Sequence, residues 1–178
     1  YCAPDFQPLC DGIAVEGLRL IKAWLPVAVK DGSNVEARAN MLAAASMGST
    51  AFQKGLGAIH ALSHPVGALY DSHHGLTNAV FMPYVLAFNR EAIAEKMVRL
   101  AAWLDLPSHD FDGVMGWILD LRVELEIPHA LTALGVEEAR LDQLAEMAAV
   151  DPAGGGNPVP LTVANLRSLL DKAMSGEV

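Results

Sequence analysis

The sequence predicts an all-α fold, read as one multi-helix domain over residues 1–178. Three observations carry that prediction. No stretch alternates apolar and polar residues over the length of a strand. Apolar residues recur instead at helical spacing, as in Ile13, Leu18, Leu20, Ile21 and Trp24. Ala, Leu and Met, which lose little side-chain freedom in a helix, dominate segments such as Val35–Thr50.

Taken in order, Asp11–Leu25 is predicted as an amphipathic helix ending near Pro26. "DGSN" at Asp31–Asn34 is a turn, with Ser33 or Asn34 as the cap of a second helix over Val35–Thr50. Gly55 and Gly57 interrupt, and residues 58–70 form a third helix, with Pro65 as a kink or a start. Leu76–Phe88 is an apolar segment broken by Pro83. Glu91–Leu104, Phe111–Glu126 and Val136–Val150 continue the series. "DPAGGGNPVP" at Asp151–Pro160 is a loop by composition, after which Thr162 caps a last helix running through Met174. "LDLPSHDFDG" at Leu104–Gly113 is the one other linker candidate, and it is short.

Composition excludes several classes. With 52% hydrophobic and 19% charged residues, the chain is globular in character. No apolar run approaches the roughly 18 residues of a membrane span, so no membrane partner is expected. The net charge is −9 and the 12 basic residues are scattered, which argues against nucleic acid. Cys2 and Cys10 make no disulfide framework and read as reduced thiols of a cytoplasmic protein. No signal peptide is visible. The chain opens at Tyr1 in a Pro-containing, loop-like stretch, which reads as the interior of a longer protein.

Four of the six histidines fall within "HALSHPVGALYDSHHG", residues 60 to 75. His60 and His64, four apart, share a helix face and could address one locus, to which a turn through "LYDSHHG" could return His74. Imidazole ligates iron, zinc, copper and nickel. A single histidine on a helix is ordinarily structural, but this crowding asks for more. Ala61 follows His60 where the metalloproteases of the H-E-x-x-H pattern carry their general base, which excludes that chemistry. Asp71 is open between ligand, hydrogen-bond acceptor and helix cap, with the cap favoured.

The longer stretch "FQKGLGAIHALSHPVGALYDSHHGLTNAVFMPYVLAFNR" (Phe52–Arg90) resembles the signature region of the iron-containing alcohol dehydrogenases. The likeness rests on a His, a His-Pro four residues later, a Gly, then His-Gly and an Asn-Ala ahead of Met-Pro, and it extends to the flanking helices. It implies the helical C-terminal domain of a two-domain, dehydroquinate synthase-like architecture, without the N-terminal nucleotide-binding domain. It implies an NAD- or NADP-dependent oxidoreductase of small alcohols and aldehydes, carrying a divalent metal, Fe2+ or in some members Zn2+. By motif, His60 and His74 are metal ligands, while His64 lies beside the metal with a part in proton movement. This differs from helical spacing alone, which would pair His60 with His64. His73 takes no role from the resemblance and is expected to face solvent or to support a ligand from behind. Phe52 is open between pocket wall and core.

The departure from the pattern is at the front. The family's other two ligands come from an Asp-x3-His motif, which does not occur in Tyr1–Asn34. The fragment alone is therefore expected to bind metal weakly and to be inactive. A homodimer or larger assembly is the family expectation. The alternative of another class is a free-standing, non-catalytic helical metal-binding module.

Overall fold

The computed structural model describes residues 1–178 and contains helices and turns but no strand. The α-helices are α1 (Pro8–Lys30), α2 (Val35–Ala51), α3 (Ala58–Tyr70), α4 (His74–Phe88), α5 (Arg90–Trp103), α6 (Phe111–Glu124), α7 (Leu141–Ala149) and α8 (Val163–Ser175). Short 3-10 turns occupy Phe52–Lys54, Leu131–Leu134, Glu138–Arg140 and Pro152–Gly156. The chain groups into two compact units, one of residues 1–54 with 93–125, the other of residues 55–92 with 126–178.

In the first unit α1 and α2 form a helical hairpin across the Asp31–Asn34 turn. Asn34 caps α2, its side chain accepting from the Ala37 N–H at 3.0 Å. Contrary to expectation, Pro26 does not end α1, which continues to Lys30. A proline removes one backbone donor, and here the helix tolerates that loss near its end. A buried lysine, Lys54, and a half-buried one, Lys96, tie the unit together. Lys54 Nζ donates to Asp11 Oδ1 at 2.5 Å with its side chain only 2% exposed. Lys96 Nζ donates to the carbonyls of Tyr1 and Ala3 at 2.7 and 2.8 Å.

The second unit is built on a continuous apolar cluster. Leu62 and Val66 of α3, Phe81 and Tyr84 of α4, Leu141 and Leu144 of α7, and Leu166 and Leu170 of α8 are all buried in it. The Tyr84 hydroxyl, at the cluster's edge, donates to the His129 carbonyl. Pro83 is buried inside α4 and does not break it, a second correction to the proline reading. Burial of the surrounding apolar face outweighs one missing helix hydrogen bond. The predicted helix over Val136–Val150 is also shorter, because a 3-10 turn at Glu138–Arg140 takes the place of its first turn and α7 starts only at Leu141. Thr162 caps α8 in a capping box with Asn165.

Candidate metal and proton-transfer site

The histidine locus is assembled within the second unit by α3 and α4 and the turn between them. α3 carries His60 and His64 one turn apart. Its end is set by Asp71, which adopts the left-handed conformation (φ 49°, ψ 35°) at the C-cap, its N–H bonded to the Gly67 carbonyl. This reverses the chain in three residues. His73 then caps α4, its Nδ1 accepting the Leu76 N–H at 3.2 Å. Ser72 and Thr77 hydroxyls bond at 2.8 Å across the same turn. His74 thus becomes the first residue of α4 and faces back to α3.

The outcome is three imidazoles in mutual contact. Ring centroids lie 5.3 Å apart for His60 and His74, 5.6 Å for His64 and His74, and 5.8 Å for His60 and His64. The His64 and His74 rings are stacked. His60 is half-buried, whereas His64 and His74 are exposed. Burial, and then the charges that His74 and His64 would carry, hold the His60 imidazole below its ordinary value. It is accordingly a neutral ring at neutral pH, with a lone pair to offer.

Asn78, one turn beyond His74 on α4, shows where those lone pairs point. Its Nδ2 lies 3.0 Å from His74 Nε2 and 3.4 Å from His60 Nε2. Both Nε2 atoms are therefore directed at one place. The Asn78 Oδ1 is buried without a partner. Two imidazole nitrogens converging on one neighbour are a donor set that suits a divalent metal. The set is incomplete, since no three His, Cys, Asp or Glu side chains close around one point.

His64 is held from elsewhere. Its Nδ1 is 2.9 Å from Oδ2 of Asp151, a residue of which 15% of the side chain is exposed. Asp151 Oδ1 accepts the Ala153 N–H at 2.8 Å, so both carboxylate oxygens are engaged. The turn bearing Asp151 is locked to the start of α3. Asn157 Oδ1 accepts the Ala58 N–H at 3.1 Å, and the Asn157 and Asn89 amides exchange two hydrogen bonds at 2.9 and 3.0 Å. Gly156 passes so close to Leu56 that a Cβ would stand 2.1 Å from the Leu56 carbonyl oxygen. Asn78, Asp151 and Asn157 were not singled out from sequence. Asn78 could have been, from its helical spacing to His74; Asp151 carries no local signal. Of the remaining candidates, His73 and Asp71 serve as helix caps and Phe52 is exposed.

Comparison with known proteins agrees with this architecture. Residues 1–174 match the model of the Fe-containing alcohol dehydrogenase family, C-terminal. The chain is 38% identical to 4-hydroxybutyrate dehydrogenase of Cupriavidus necator, covering 98% of this chain and 47% of that protein. Its fold superposes on a crystal structure of 1,3-propanediol oxidoreductase with a TM-score of 0.93 at 32% identity, over 98% of this chain and 47% of that one. It also superposes on sulfoacetaldehyde reductase from Bifidobacterium kashiwanohense, solved in complex with NAD+, with a TM-score of 0.87 at 26% identity, over 98% and 46% of the two chains. The chain spans about half the length of the curated relatives it matches. It belongs to the Fe-containing alcohol dehydrogenase family and corresponds to that family's C-terminal, helical region.

Proposed function

We propose that this chain is the helical part of a metal-dependent alcohol dehydrogenase that moves a hydride between a small alcohol and NAD(P). The convergence of His60 and His74 Nε2 on one locus, with His64 alongside, carries the reading. Family membership over the whole chain supports it.

His60 and His74 would hold the metal through Nε2, iron being the one the family description names. An Asp and a His of the family's Asp-x3-His motif would complete the set. When bound, a divalent ion supplies Lewis acidity towards the alcohol or carbonyl oxygen. His64 would take up the hydroxyl proton when an alcohol is oxidised and return it when an aldehyde is reduced, while NAD(P), when bound, would supply the hydride acceptor or donor. The apolar cluster beneath α3 and α4 keeps the two ligating helices in register.

In the protein from its full reading frame, His60→Ala and His74→Ala should each lose most bound metal, measured by elemental analysis, together with turnover. Retention of full activity by either variant would falsify the assignment. Residues 1–178 alone should show no alcohol-dependent reduction of NAD.

A further inference from the structure

We propose that Asp151 is a positioning residue that fixes His64 in the Nδ1–H tautomer and so keeps its Nε2 free to accept a proton. The role rests on the reading of His64 as the proton carrier, but the tautomer itself can be measured without it.

A carboxylate oxygen offers only lone pairs, so at the 2.9 Å contact the proton belongs to His64 Nδ1. A neutral imidazole has one N–H, and Nε2 is then an acceptor. Asp151 cannot turn away at little cost, because its other oxygen caps the Pro152–Gly156 turn through Ala153. Nor can the turn drift from His64. Asn157 bonds the Ala58 N–H at the start of the helix that carries His64, and Gly156 sits against Leu56. Carboxylate, turn and imidazole are thus one rigid assembly joining residues 87 positions apart. A carboxylate that orients a histidine ring from behind serves the proton transfer without touching substrate.

The discriminating variant is Asp151→Asn. Its side-chain oxygen still caps Ala153, whereas its N–H2 group now faces His64 Nδ1. The ring must then accept at Nδ1 and carry its proton on Nε2. Residues 1–178 labelled with 15N-histidine should show this by two-bond 15N–1H correlation at alkaline pH, where imidazole is neutral, with His64→Gln identifying the signal. The expected result is Nδ1–H in the wild type and Nε2–H in Asp151→Asn, with unchanged helical circular dichroism in both. An Nε2–H wild-type ring, or a tautomer indifferent to the substitution, would overturn the proposal. Asp151→Ser, whose shorter hydroxyl keeps the cap but loses the imidazole, should abolish the tautomer preference. Persistence of the Nδ1–H form in that variant would also overturn it.

In the metal-loaded protein from the full reading frame, Asp151→Asn should lower kcat by about 10²-fold, the lower range for a lost acid–base group, with KM nearly unchanged. Metal content should not move, since His60 and His74 are untouched. A switched tautomer with normal kcat would support the Asp151–His64 assignment and refute proton transfer by His64.

Discussion

The two compact units both bury apolar side chains but differ in the polar contacts added to them. The unit of residues 55–92 and 126–178 is organised around one apolar cluster, topped by the amide pair of Asn89 and Asn157. The unit of residues 1–54 and 93–125 also buries apolar residues, Ile93, Met97, Leu100 and Val114 among them, and adds a small-residue contact of Gly17 on α1 with Ala44 and Met47 on α2 and lysine amines set against a carboxylate and carbonyls. The difference teaches why the histidines sit where they do. Three imidazoles, one carboxylate and an amide must keep hydrogen-bond geometry, and side chains mounted on a well-packed core hold such geometry best.

That contrast can be broken experimentally. The largest effect is expected from Phe81→Ala, which removes a ring with 0% exposure from the apolar cluster and should cost about 3–5 kcal/mol in urea unfolding. Trp24, Trp103 and Trp117 all lie in the other unit, so indole fluorescence follows that unit while circular dichroism follows both. A near-wild-type transition by circular dichroism would mean that the cluster is not the stabilising feature it looks to be. Next comes Lys54. Lys54→Ala should cost about 1–3 kcal/mol, since it removes a charged hydrogen bond, leaves Asp11 with only Lys96 at 4.0 Å and opens a cavity. Lys54→Met, which fills the same space with apolar atoms but still takes the ammonium from Asp11, should recover only the cavity part of that. Equal losses in the two variants would show that the charge, and not the packing, matters there.

The smallest effect is a pH dependence in the histidine unit. His60 is held below its ordinary 6.5 by burial and by the neighbouring His74 and His64. The unfolded chain therefore takes up this proton at a higher pH than the folded one. Folding stability should be highest above about 6.5 and fall on acidification from there towards the depressed value of the folded state. His60→Gln should flatten that slope in thermal melts against pH. An unchanged slope would place the proton uptake on other groups.

Local signals were legible wherever they were strong. The bounds of α3, the cap Thr162, a cap at Ser33 or Asn34 that the structure places on Asn34, and the helical character of every long segment follow from composition, spacing and cap chemistry. Prolines misled in one direction: Pro26 and Pro83 both lie inside helices that continue past them. Their cost is local and fixed, but the packing that offsets it is not visible in a short window. Residues 136–140 went the other way, a 3-10 turn at Glu138–Arg140 shortening a helix that periodicity had extended.

The sequence by itself determined an all-helical chain, its family likeness and the crowding of His60, His64 and His74 into a single helix–turn–helix, because these depend on residues close along the chain. Only the tertiary structure decided that Asn78 points at both His60 and His74, and that Asp151 stands behind His64. The first needs α4 folded back on α3, and the second brings together residues 87 positions apart. Hydrogen bonds of that kind are set by where packed elements come to rest, and no local pattern records it.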